Sequence, residues 1–330
     1  MKMLSVLVCC VLLAVVRCEV QYQHPEEWDL WKTEHGKSYE SQREELERHL
    51  VWLSNREYIN AHNANSDIFG FTLSMNHFGD ISDTEFREHY LTYEPVGQHN
   101  SSKVFDPTPY SSTLPEYVDW RTMRAVTPVK RQGQCGSSYA FATTGAIEGA
   151  WALANGVLQP LSEQNIIDCS VVYGNHGCKG GNMYNSYQYI VANDGIDTAN
   201  AYGYIEQQSY CKYTTGGLGA EITGFIQIAS GNEQDLQTAV AYVGPIATAV
   251  DASSSAFRYY SGGVYSSIRC SRTKMNHAVL VTGFGTYNGA DYYLVKNSWS
   301  KGWGVGGYIM MSRNSYNQCG ISTDASYPSL

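Results

Sequence analysis

The sequence predicts an α+β protein of two lobes behind a charged, helical N-terminal segment. Three observations carry this. Ser138 to Ala154 places Phe141, Ala142, Gly145, Ala146, Gly149 and Ala150 on one close-packing helical face, with Gly156 as the stop. The last third alternates instead: HAVLVTGFG, DYYLVKNSW and GYIMMSR read as strands of a twisted antiparallel sheet. Between residues 95 and 114 the composition changes, and VGQHNSSKVFDPTPYSSTLPE marks a linker. A helical half followed by a strand-rich half creates an interface between lobes, where clefts tend to form.

In chain order, Lys2 precedes the apolar run Leu4 to Val16, too short to span a bilayer and of the length of a secretory signal peptide ending near Cys18. No other apolar run approaches 18 residues, so an exported protein without a membrane span is expected. Glu26 to Tyr90 is charged and helical in pattern, and Asn100-Ser101-Ser102 is a glycosylation sequon. From Leu114 the chain holds 20 tyrosines and 21 serines in 217 residues, so about a fifth of its side chains carry hydroxyls.

The formal charge of -9 is unevenly placed. Thirteen Lys/Arg and fourteen Asp/Glu follow from Leu114, net -1, which leaves -8 for the first 113 residues. A near-neutral C-terminal part argues against nucleic acid as a partner, because phosphate neutralisation needs clustered cations. Of nine cysteines, Cys9, Cys10 and Cys18 fall in the signal region. The remaining six, Cys135, Cys169, Cys178, Cys211, Cys270 and Cys319, form an even set that in an exported chain reads as disulfides. If all six pair, no thiol is free for catalysis.

Only His176 and His277 follow Leu114. His176, in the glycine-rich GNHGCKGG, reads as an exposed loop residue. His277 enters an apolar strand, and Asn297 lies one strand later in VKNSW. A general base needs an orienting partner on its second ring nitrogen, and Asn297 is of the right type. Gln132, six residues before Ser138, supplies a candidate oxyanion donor. The order Gln, Ser, His, Asn is that of a nucleophilic site.

QGQCGS with YAF, LSEQNIIDCS, GCKGG, NHAVLVTGFG and KNSWSKGWGVGGYIMM closely resemble the papain-like cysteine proteases of the cathepsin L type. The resemblance covers essentially the whole chain after the signal. It implies a papain-like two-lobe fold with residues 1–18 as signal, 19–113 as inhibitory propeptide and 114–330 as mature domain. The propeptide signature appears as Glu44, Arg48, Trp52, Asn55, Ile59 and Asn63, then Asn76, Phe78 and Asp80, with Ser74 where glycine is usual. It also implies disulfides Cys135–Cys178, Cys169–Cys211 and Cys270–Cys319, apolar pocket residues Met183 and Met275, and a cleft blocked by the chain's own propeptide. With the cysteines so assigned, no metal site is expected, and no cofactor.

Two positions depart from the family: Ser138 stands for its catalytic cysteine and Tyr139 for the tryptophan after it. This pair, with the serine-rich DASSSAFRYYSGGVYSS carrying Ser253, Ser254 and Ser255, resembles the silicateins. These sponge proteins of siliceous spicules promote silica formation. That resemblance implies silicic acid or silica as partner, self-association into filaments, and a place in the secretory pathway, outside the cell or in a silica-depositing vesicle or axial filament. A serine hydroxyl does not ionise near neutral pH as a paired thiol does. Hydrolysis by Ser138, His277 and Asn297 would use general-base activation, with peptide cleavage weak. A templating scaffold without turnover and a residual serine peptidase are the competing expectations.

Overall fold

The computed structural model describes residues 23–95, 103–110 and 113–330. The signal segment and the sequon lie outside the described residues. The N-terminal segment, which the resemblance reads as the prosegment, runs α1 (Pro25–Glu34), α2 (Gln42–Asn63), the single turn α3 (Ser66–Phe69), β1 (Phe71–Leu73), α4 (Asp83–Tyr90) and β2 (Lys103–Val104). The rest follows as β3 (Val118–Asp119), α5 (Ser138–Asn155), α6 (Glu163–Cys169), α7 (Met183–Ala192), β4 (Ile196–Asp197), β5 (Leu218–Ala220), β6 (Gly224–Gln227), α8 (Glu233–Tyr242) and β7 (Ile246–Val250). It ends with α9 (Ser255–Arg258), β8 (Tyr260–Tyr265), β9 (His277–Tyr287), β10 (Ala290–Lys296), β11 (Tyr308–Ser312) and β12 (Ala325–Ser329). The α+β two-lobe fold is therefore as the sequence predicts. No helix among the described residues is long and apolar enough to cross a membrane.

One large sheet runs β1-β8-β11-β10-β9-β7-β12-β6-β2, with β3 beside β9. The three late strands pair antiparallel as expected, β9 with β10 and β10 with β11, whereas β11 with β8, and β2 with β6, pair in parallel. The wall between the lobes is β7 and β9. Side chains alternate across a strand, so Val279 and Val281 face the sheet-lobe core with Ile246 and Val250. Ala278 and Leu280 face the helical-lobe core with Ala247 and Ala249. Both faces are covered, and HAVLVTGFG is apolar without interruption for that reason.

α5 lies on this wall. A Cβ on Gly145 would stand 2.8 Å from Leu280 Cδ2, and one on Gly149 would stand 2.7 Å from Pro245, so the small-residue face lets the helix approach the sheet. The helix ends at Gly156, which takes φ 74°. Cys135–Cys178 and Cys169–Cys211 staple the helical lobe, and Cys270–Cys319 staples the sheet lobe, the pairing that the resemblance implies. The prosegment has its own core of Trp28, Trp31 and Trp52. Its signature residues have structural tasks. Asn63 brackets Leu73 with two hydrogen bonds, Arg48 pairs with Glu85, and Asp80 accepts from Lys37 and Tyr39.

Candidate active site

Ser138 is the first residue of α5 and His277 the first of β9, so the packing of α5 on the wall brings both to the lobe junction. His277 is fully buried, and its Nε2 donates to Asn297 Oδ1 at 2.8 Å. That bond leaves Nδ1 as the basic nitrogen. Asn297 Oδ1 also accepts the Ser298 N–H at 2.8 Å, which fixes its orientation. The Trp299 ring packs on the imidazole with centroids 4.4 Å apart. Burial holds the His277 pKa down at about 4, and the Asn297 bond opposes that only in part. The Tyr90 carbonyl, from the prosegment, also favours the charged ring weakly. It makes no well-aligned hydrogen bond, and Nδ1 has no partner.

Ser138 Oγ does not engage Nδ1 either. It accepts the Ala278 N–H at 3.2 Å. Gln132 is buried and locked on both ends: Nε2 donates to the Cys135 carbonyl at 3.0 Å, and Oε1 accepts from Ser298 Oγ at 2.7 Å. One Nε2 hydrogen is thereby used, and the amide is held beside the Cys135–Ser138 turn. Tyr139 fills its buried position by donating to the Gly177 carbonyl at 3.0 Å, and burial pushes its phenol pKa far up. Behind the site, Lys130 bridges the buried Glu148 and Glu163. Lys296 donates to Thr127 and is held down at about 8 by burial.

The cleft is occupied by residues Tyr90 to Glu94. Tyr93 bridges Gly181 in parallel, with Tyr93 N–H on the Asn276 carbonyl and Glu94 N–H on the Gly181 carbonyl, both at 3.0 Å. Gly180, at φ 124°, admits this strand because a Cβ there would sit 2.2 Å from the Thr92 carbonyl oxygen. The Tyr93 side chain enters the same buried cluster as Met183 and Met275 and donates to Asp324 at 2.6 Å. Sequence reasoning missed Tyr93, Asp324 and Trp299. Asp324 could have been found as the single charge in the tail GISTDASYPS.

The serine cluster is committed to local structure rather than gathered at Ser138. Ser253 accepts from Asn276, Ser254 caps α9, and Ser255 reaches Asp83 of the prosegment. His176 is exposed, as expected, and lies 3.6 Å from Glu94.

Residues 114–329 match the papain family of cysteine proteases, and residues 28–86 match the cathepsin propeptide inhibitor domain. The chain is 47% identical to silicatein of Petrosia ficiformis, over 93% of this chain and 95% of that one. It is 41% identical to cathepsin K of Mus musculus, over 92% and 93%. The structure of digestive procathepsin L 3 of Tenebrio molitor superposes with a TM-score of 0.86 at 42% identity, covering 93% of this chain and 99% of that one. A cathepsin-type prosegment and three disulfides point to a secretory-pathway or lysosomal protein.

Proposed function

The chain belongs to the papain family of cysteine proteases as a silicatein-like and cathepsin L-like member, and from that membership we propose that its processed form hydrolyses silicon alkoxides and condenses silicic acid through Ser138. The observation that carries the reading is an intact His277–Asn297 pair beside a serine at the N-terminus of α5.

In this reading Ser138 Oγ attacks silicon while His277 Nδ1 takes its proton. Silicon accepts the fifth ligand without leaving its ordinary chemistry, and its long bonds to oxygen tolerate a nucleophile shorter than the family's thiol. A Ser–O–Si bond forms, and the bond to the leaving alkoxide breaks as that oxygen takes the proton from His277. Water then attacks silicon, gives its proton to His277 and releases a silanol, and Ser138 recovers its proton. A second silanol in place of water gives a siloxane. Asn297 keeps the imidazole in the useful tautomer, and Gln132 Nε2 with the Ser138 N–H faces negative oxygen on silicon.

Residues 1–18 act as leader and 19–113 as the inhibitor removed by cutting near 107–114, and Met183 and Met275 line the pocket that Tyr93 vacates. The processed chain acts outside the cell or in a silica-depositing vesicle, self-associating as filament material. Silicon alkoxide hydrolysis by the processed chain tests this: Ser138→Ala and His277→Ala should each lower it at least a hundredfold, and wild-type rates in both would end the covalent reading.

A second reading, a templating scaffold without turnover, is favoured by Ser138 Oγ resting on Ala278 N–H rather than on His277. Silica deposition retained in Ser138→Ala but lost on replacing Ser253 to Ser255 by alanine would select it.

A further inference from the structure

The prosegment caps both ends of the sheet. β1 covers β8 at one end and β2 covers β6 at the other. The β2 cap is slight, two exposed residues. The β1 cap is extensive. Phe71 stands opposite Gly263, Thr72 opposite Gly262 and Leu73 opposite Tyr260, in antiparallel pairing. Val264 N–H donates to the Gly70 carbonyl at 3.1 Å and Ser74 N–H to the Tyr259 carbonyl at 2.8 Å. Phe71 and Leu73 are buried in the sheet-lobe core, with the Phe71 ring 5.1 Å from that of Tyr265. Removal of the prosegment therefore uncovers an unpaired strand edge beside an apolar socket.

Natural sheets blunt such edges with lysine, proline or an inward charge. β8 reads YSGGVY and carries none of these side chains; its irregularities are the register shift opposite Thr72 and Leu73 and a φ of 84° at Gly263. The nearest charge along the chain is Arg258, before the strand begins. We propose that β8, once released from β1, is the docking edge for a second processed copy of this chain, pairing antiparallel with that copy's β8. The inference rests on the self-association reading above and names its surface. Two identical strands related by a twofold axis pair antiparallel, the orientation β8 already adopts with β1. Antiparallel pairing also keeps the two Arg258 side chains at opposite ends of the joint. The part from Leu114 onward has net charge -1, so whole-molecule repulsion between copies is small. The prosegment is then a cap on assembly as well as on the cleft.

Gly262 gives a clean probe. A Cβ there has one heavy atom within 4 Å, Thr72 Oγ1 at 3.4 Å, which leaves with the prosegment. Sedimentation across a concentration series should show the full chain as a monomer. The wild-type chain, after cleavage and separation of the prosegment, should double in mass with concentration. Gly262→Lys should stay monomeric after cleavage, and a synthetic peptide of residues 68–76 should return processed wild type to monomer. A Gly262→Lys variant that dimerises like wild type, or a peptide that fails to compete, would overturn the β8 assignment while self-association stands. Processed wild type that remains monomeric throughout would overturn both.

Discussion

Tyr93 of the prosegment donates its phenol to the half-buried Asp324 carboxylate at 2.6 Å, from the buried cluster it shares with Met183 and Met275. Burial raises the Asp324 pKa to about 6, and the Tyr93 bond opposes that rise. An undocked Asp324 faces water and returns toward its ordinary range, about 3.9. Docking therefore takes up a proton between those values, and this group favours docking more as pH falls through 6. The Tyr93 bond matters most where the carboxylate is ionised. Hydrogen bonds to charged groups contribute about 1.5–3 kcal/mol against about 0.5–1.5 for neutral ones. Tyr93→Phe should lower the full chain's melting temperature more at pH 7.5 than at pH 4.5. An equal loss at both would remove Asp324 from the account.

A second anchor is Arg258, buried although it lies within the papain-family domain. Its side-chain hydrogen bonds all run to the prosegment: Asp83 at 2.7 Å, Asn55 at 3.3 Å, and the carbonyls of Ile81 and Ser82 at 3.4 Å. Asp83→Ala deprives a buried cation of its counter-charge. Because Asp83 is two-thirds exposed, the expected cost is about 1 kcal/mol rather than that of a fully buried pair. Limited proteolysis of the full chain should release the prosegment roughly five times faster in this variant. Cleavage at the wild-type rate would show that the surrounding aromatic contacts suffice.

What the sequence revealed and what it hid differ in kind. The helix from Ser138, its glycine stop and the three late strands are local patterns, readable from spacing alone. The order Gln132, Ser138, His277, Asn297 is readable as chemistry, and three of these four share hydrogen-bonded neighbours in the fold. Tyr93 and Asp324 are 231 positions apart, and neither carries a local signal of its partner. The serine run Ser253 to Ser255 gave no local sign of its partners, and capping α9 and anchoring Asn276 consume two of its hydroxyls. The parallel pairing of β8 with β11 had no local signal, because it depends on where the chain returns to the sheet.

His277 pulls docking the other way from Asp324. Its pKa is held at about 4 in the closed chain, and water in an open cleft returns it toward about 6.5. Docking therefore weakens as pH falls from 6.5 toward 4, when the released ring takes a proton that the buried ring refuses. For turnover the neutral ring is the base, so alkoxide hydrolysis by the processed chain should rise with pH and level off above about 7. Asn297→Ala should lower that plateau tenfold or more, since the imidazole loses the partner that fixes its tautomer. A pH profile without an acid limb would show that His277 is not the base.

Ser138→Cys restores the family's thiol at the first residue of a buried helix. The helix N-terminus and a protonated His277 both favour a thiolate there, whereas the serine hydroxyl must lose its proton during attack. Sulfur also reaches farther toward a peptide carbonyl, and a displacement of order 1 Å is worth about a hundredfold in rate. With Gln132 and Asn297 in place, the processed Ser138→Cys chain should cleave a fluorogenic peptide at least a hundred times faster than processed wild type. Its iodoacetamide reactivity should extend well below the pH of an ordinary thiol. If alkylation shows that thiolate but peptide cleavage stays at the wild-type level, the cleft itself, through Tyr139 and the Asp324 pocket, has departed from peptide binding.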